Sequence, residues 1–296
     1  MRPQGEHHAR RVLPYWQDLY TLAVVVLCAG LLTAPFFLEL SWGETVLWIV
    51  CSCFVNFIVN LIDHNHIHVP TFGYRWLNIG FGLLLTVLRG ASERFTVVIH
   101  NMNHHRYEGT EDDWFWPGNA GDGPVIFQPF VYTVRTARRF KREGADLFDR
   151  MKRVNGRIQR VENLCLVLVM VGLLWADWQK ALLFVLIPWI AGNYGIVYTN
   201  LLFHKGCDPS SKFTLSKNYL NPVEQLIFLN GGYHTMHHLK PALHWSQLPR
   251  EHQLHVAPYL DPKYARDSIF ADTWNEFIRP SLWPSQPERV EGIGEV

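Results

Sequence analysis

Charge is scarce in this chain: Asp, Glu, Lys and Arg make up 18% of its 296 residues, against about 25% in soluble domains. The net charge is only +1, so nothing global points to nucleic acid or to strongly acidic partners. Cysteine is sparse as well. Cys28, Cys51, Cys53, Cys165 and Cys207 lie mostly in apolar runs without ligand or framework spacing, which argues against a disulfide scaffold. Internal repeats and low-complexity tracts are absent. The one glycine cluster, Gly118 to Gly123, does not sit between a strand and a helix, so it carries no nucleotide-loop reading. The first apolar run has polar residues before it and no small-residue cleavage site after it, unlike a signal peptide.

What the chain has instead is long apolar runs, with 48% hydrophobic residues overall. A helix needs about 20 residues to cross a bilayer. Four apolar segments reach or approach that length and are expected to span, at about 19–38, 45–62, 161–176 and 181–203. The first two lack a polar face, which argues against buried helices of a soluble protein. Trp76 to Leu88 is apolar but too short to cross easily, and is expected to be re-entrant or interfacial. The expected fold is all-α and integral to a membrane: four transmembrane helices in two hairpins. Residues 1–296 form one domain, with segments 63–160 and 204–296 outside the bilayer. From Pro129 to Arg160 there are ten Lys or Arg and three acids, whereas the hairpin links hold only Lys180. The positive-inside rule then places both termini, the central segment and the C-terminal cap on the cytoplasmic side.

Histidine is the residue in excess, at fifteen, and it is clustered. "DHNHIH" carries His64 and His68 just past the second span. "HNMNHHRY" carries His100, His104 and His105 in the central segment. "NLLFH" ends the fourth span with Asn200 and His204, and "YHTMHH" carries His234, His237 and His238 in the cap. All four land on one face of the membrane. Residues i and i+4 share a helix face, so His64/His68, His100/His104 and His234/His238 are each expected to grip one ion. His105 and His237 point elsewhere, toward a second. A structural zinc site needs four ligands, usually with cysteine; nine imidazoles suit two ions, and imidazole alone accepts Zn, Cu, Fe or Ni. His66 is out of phase and reads as an interior or supporting group. His244, His252 and His255 are expected at the surface, and His7 and His8 in a disordered tail. Asp63, Glu111, Asp112 and Asp113 are candidates to accept the second N–H of ligand histidines. Trp114 and Trp116 read as interface anchors or walls of the site.

The three boxes "HNHIH", "HNMNHH" and "HTMHH", in this order and separated by these spans, resemble the integral-membrane fatty acid desaturase and hydroxylase superfamily. The similarity runs from about Leu19 to His238, and "NLLFH" adds the family's further histidine with an asparagine one turn earlier. The resemblance implies a non-haem di-iron oxidoreductase using O2 on the aliphatic chain of a fatty acid or fatty-acyl substrate. It implies His64, His68, His100, His104, His105, His204, His234, His237 and His238 as ligands and catalytic centre, with Asn200 holding a water on one iron. Desaturation is the leading activity. The boxes look at least as close to the alkene-forming fatty acid decarboxylase branch, and hydroxylation or carotenoid ketolation use the same scaffold. A free acid would want a cation near the tunnel, for which Arg89, Arg94 and Arg106 are candidates. Electrons would come from an external carrier, a ferredoxin or cytochrome, docking on the basic stretch with Arg138, Arg139, Lys141 and Arg142. A membrane metal transporter is the reading from another class. Its ligands would lie near mid-membrane with charges inside the spans, unlike the pattern here.

Overall fold

The computed structural model describes residues 11–283; His7 and His8 lie outside them. Three helical stretches are long and apolar enough to cross a membrane: Asp18–Phe37, Trp42–His68 and Ala145–His204. The first holds α1 (Asp18–Thr33), the second is α2 (Trp42–His68). Ser41 starts α2 with a capping box: its hydroxyl accepts from the Glu44 N–H at 3.4 Å, and the Glu44 carboxylate accepts the Ser41 N–H at 2.8 Å. The helix then runs without interruption through His68. His64 and His68 therefore sit inside α2 and not beyond its end, which is what holds their i, i+4 register rigid.

α3 (Arg75–Arg89) has an apolar and a polar side. At 1.5 Å per residue it spans about 22 Å, short of the roughly 30 Å hydrocarbon core, in keeping with an interfacial helix. It stops at Gly90, whose φ of 70° is left-handed and costs glycine nothing. A Cβ there would also run into the Trp189 ring. α4 (Glu93–Thr96) passes directly into a wide turn, Val97–His104, whose closing hydrogen bond runs from the His105 N–H to the His100 carbonyl. That i to i+5 pattern is a π-helix, a form that concentrates at functional sites. The short α5 (His105–Tyr107) follows.

α6 (Gln128–Glu143) is amphipathic and leads into α7 (Ala145–Ala181), which continues through Leu182–Leu186 into α8 (Ile187–His204). This sixty-residue stretch is not uniform: Asn155 and Asp177 have non-helical backbone angles. At the second, the Asp177 carboxylate accepts the Lys180 N–H at 3.0 Å, capping the helix that follows.

Small residues and amides join the long helices, as expected where both partners are apolar. Gly192 of α8 presses against Asn56 and Asn60 of α2 so closely that a Cβ would overlap the Asn56 amide. Asn56 donates to the Leu88 carbonyl at 2.8 Å, Asn193 to the Arg89 carbonyl at 2.7 Å, and Trp48 to the Leu31 carbonyl at 2.7 Å.

After His204 the chain builds a cap of short helices: α9 (Pro222–Ile227), α10 (His234–Leu239), α11 (Leu248–His255), α12 (Ile269–Thr273) and α13 (Arg279–Leu282). Two residues each of β1 (Asn218–Tyr219) and β2 (Ala265–Arg266) pair in parallel, an exception to the all-α expectation. The cap is latched to the first span. Asp18 is buried at the start of α1, 3.2 Å from His244 Nε2 and 3.0 Å from Trp245 Nε1. His244 is thus interior and not a surface residue, because a buried carboxylate needs donors. His252 is buried too, beside Tyr233; His255 is exposed as expected.

Candidate metal centre

The nine histidines converge as two groups. His64, His68, His100, His105 and His237 form one, and His104, His204, His234 and His238 the other; taking one ring nitrogen from each residue, those of a group all lie within 4.8 Å of one another. α2 supplies the first pair, the Val97–His104 turn and α5 supply the middle three, α8 supplies His204 and α10 the last three.

Two of the three expected i, i+4 pairs hold, and one does not. His64 groups with His68, and His234 with His238, but His100 joins His105 while His104 goes to the other group. The π turn is the reason. It makes i and i+5 the residues that share a face, so the extra residue of the box is absorbed and His100 meets its fifth neighbour, with Nε2 atoms 2.9 Å apart.

The donor atoms fit a cation. His204 Nδ1 lies 3.0 Å from the Leu215 carbonyl, which can only accept, so the N–H is on Nδ1 and the Nε2 lone pair faces inward. His104 Nδ1 lies 2.8 Å from the Asp113 carboxylate, leaving its buried Nε2 without a hydrogen-bond partner among the described residues. Glu108 stands 2.9 Å from His238 Nδ1. His234 Nε2 then faces two Nε2 atoms at once, those of His204 and His238, each at 3.0 Å. One N–H cannot satisfy this cluster of lone pairs. Two nitrogens about 2.0–2.1 Å from one metal are themselves about 3 Å apart, the spacing seen here and between His105 and His237 at 3.1 Å.

Electrostatics agree. Burial, with neighbouring imidazoles, drives His100, His105, His234, His237 and His238 well below the usual histidine range, so they are neutral donors. His104 is the exception. Burial would lower it too, but the charge and hydrogen bond of Asp113 outweigh burial and raise it.

The expected supporting acids divide. Asp113 is buried against His104, while Glu111 and Asp112 are exposed. Asp63 turns away from the histidines to pair with Arg89 at 3.0 Å. Glu108 was missed in the sequence; its only signal is its place three residues after His105, where the chain turns back over the site. His66 bonds Thr71 at 2.9 Å and takes no part in either group. Trp114 is in the core against Phe140 and Phe148, not at an interface.

A cavity of about 560 Å³ touches both groups through His64, His100 and His234, a size in the usual ligand range of about 300–1,000 Å³. Most of its lining is apolar, including Phe57, Phe95, Ile99 and Phe203. Asn200 also lines it, with a buried Oδ1 that has no partner among the described residues. Arg89 reaches it at another point.

Comparison with curated proteins finds no match. A family model described as fatty acid desaturase matches residues 40–270, from the start of the second apolar stretch to α12. That match covers well over half of the chain and all nine clustered histidines. The protein therefore belongs to the fatty acid desaturase family, and with it to the membrane oxidoreductases that modify lipids.

Proposed function

We propose that the protein is an O2-dependent, non-haem di-iron oxidoreductase that desaturates the aliphatic chain of a fatty acid or fatty-acyl lipid. The observation that carries this reading is one apolar cavity in contact with two all-imidazole groups. His64, His68, His100, His105 and His237 would hold one iron. His104, His204, His234 and His238 would hold the other, with Asn200 positioned to hold a water beside it. Bound iron would supply O2 activation and the removal of hydrogen from an unactivated carbon, which no side chain can do.

The chain's own residues do the rest. Asp113 and the Leu215 carbonyl keep His104 and His204 in the tautomer that turns Nε2 inward, and the Glu108 carboxylate lies 2.9 Å from His238 Nδ1. Phe203 stacks on His234 at 3.9 Å and fixes that ring. The apolar lining excludes water from the chain to be oxidised. The reaction balances with two hydrogens leaving adjacent carbons, O2 reduced to two waters, and two electrons and two protons supplied from outside. A ferredoxin or cytochrome would bring the electrons. Arg138, Lys141 and Arg142 are exposed on α6 and suit an acidic carrier. Arg139 does not serve, because it is tied to the carbonyls of Asp113 and Glu111 at 2.7 Å each.

We read Ala145–His204 as two passes, which gives four spans in two hairpins with the histidine groups and both termini on the cytoplasmic side. A sixty-residue helix would be about 90 Å long, three times the bilayer core, and the Asp177 cap supplies a place to turn. The basic run between 129 and 160 supports the sidedness.

One observation favours oxidative decarboxylation to a terminal alkene as a second reading. Arg89 is buried, lines the cavity and has an Nε without a hydrogen-bond partner among the described residues, a place for a carboxylate. Asp63 already neutralises Arg89, which is why desaturation leads. Expression in a host with ordinary fatty acids, followed by mass spectrometry, decides: an internal double bond supports the first reading, a volatile alkene the second. Iron analysis should find about two irons per chain; bound zinc with no lipid product overturns both.

A further inference from the structure

We propose that the cavity fills from the side: its aliphatic occupant enters from within the bilayer, between α6 and α8, and not from the aqueous phase. The inference deepens the lipid-oxidoreductase reading and rests on it. It makes the substrate a bilayer-resident single-chain lipid such as a free fatty acid, not a thioester presented by a water-soluble carrier.

The position of the mouth follows from exposure. Nearly all residues lining the cavity are buried or half-buried, and the histidines, Gln225, Phe228 and Ile269 close it at the cap end. The lining residues that are exposed are Phe130 at 62%, Ile190 at 61%, Tyr194 at 36%, and Ala137. Two lie on α6 and two on α8, and the two helices pack against each other. The opening is where they part.

On its α8 side that opening faces lipid, while α6, with exposed Arg138, Lys141 and Arg142 just past Ala137, borders it at the membrane surface. Leu183, Ile187, Ile190 and Tyr194 recur at helical spacing and are all exposed, a stripe inside a stretch long and apolar enough to cross a membrane. Ile190 and Tyr194 belong both to this stripe and to the cavity wall. Ile190 also stands ten residues before Asn200, about 15 Å further along the axis, so the mouth is set well away from the end of α8 that carries His204. No charged residue is among the exposed lining, as a water-facing mouth for a charged headgroup would need.

The rim is built and anchored. Tyr194 stacks on Tyr198 with centroids 6.2 Å apart, and the Tyr198 hydroxyl bonds Thr273 Oγ1 at 2.7 Å. The next residue, Trp274, is exposed, and its turn packs on Val125–Phe127, where Phe127 is exposed as well. Exposed aromatics beside an apolar span are the signature of the membrane interface. A chain entering here never exposes its methylenes to water, whereas one entering from the aqueous side would have to.

The test uses the full-length, iron-loaded protein in lipid nanodiscs and a 16-carbon fatty acid with a diazirine near its methyl end. One arm dissolves the acid in the bilayer; the other offers the same chain in water as its coenzyme A thioester. Photolysis followed by peptide mapping should find label from the bilayer arm on the segments holding Phe130 and Ile190–Tyr194 as well as on cavity residues. Ile190→Trp should cut labelling several-fold at short incubation and recover at long incubation, a delay that a misfolded variant would not show. Phe130→Ala should shorten the time to full labelling. The proposal is overturned if the thioester labels the cavity faster than the acid, or if Ile190→Trp fills at the wild-type rate; the lipid reading survives both. Absence of cavity label in either arm removes the lipid reading itself.

Discussion

The two histidine groups solve the same problem by different means. The four-histidine group is held from behind: Asp113 and the Leu215 carbonyl each take one Nδ1 and turn Nε2 inward, and the Glu108 carboxylate stands beside His238. The five-histidine group has no carboxylate against any of its rings among the described residues. Its imidazoles pack on each other, with centroids 4.4 Å apart for His64 and His100 and 4.7 Å for His68 and His105. Orientation there comes from backbone, from the rigid register of α2 and the π turn. One group has outer partners and a neighbouring Asn200; the other has one more histidine. The first should depend on its supporting acids, the second on its helix geometry.

Removing a ligand tests the division most severely. His104→Ala should abolish turnover and lower iron from about two per chain to about one, because the five-histidine group does not need it. Elemental analysis checks this; loss of both irons would show one coupled site in place of two. The next effect concerns support. Asp113→Asn leaves all nine histidines in place but removes the carboxylate charge and one of the two oxygens that bond His104 and the Phe115 N–H, and should weaken one metal by about 10–100-fold. A chelator titration should then become biphasic, with only one iron leaving early.

The sequence made the clustered histidines legible because imidazole density and i, i+4 spacing need no tertiary information. Grouping at the middle box was not legible. "HNMNHH" looks like an i, i+4 pair with a neighbour, and only the π turn reveals that His100 and His105 belong together. Glu108, Leu215 and the His244–Asp18 latch were hidden for another reason. They act across long separations or through a backbone carbonyl, and no local pattern records such contacts.

The π turn supplies its own test, with a smaller expected effect. A box one residue shorter, wound as an ordinary α-helix, would bring its first and last histidines together at i, i+4, the pairing that His100 and His105 reach at i, i+5. Deleting Asn101 should therefore let the turn relax to α while keeping both groups, with two irons retained and turnover reduced about tenfold or less. Inserting a residue at the same place has no such refuge and should empty the five-histidine group. Equal damage from both changes would show that the wide turn does more than absorb a residue.

The mildest prediction concerns what stands behind the five-histidine group. Asp63, next to His64, pairs with Arg89, and the buried Glu93 lies close by, with Arg94 at 2.7 Å and Gly82 leaving room for its carboxylate. Burial, then the charge of Asp63, pushes the Glu93 carboxyl up to about 8. Between the ordinary 4.5 and about 8 the folded chain keeps a proton that the unfolded chain releases. Stability should therefore fall as pH rises through that window, by at most about 1.4 kcal/mol per pH unit. Glu93→Gln should flatten that slope in thermal melts taken from pH 5 to 8, and should leave the four-histidine iron untouched. If the variant instead loosens the five-histidine iron, the support that group lacks in carboxylates at its rings comes from this ion cluster through Asp63 and α2.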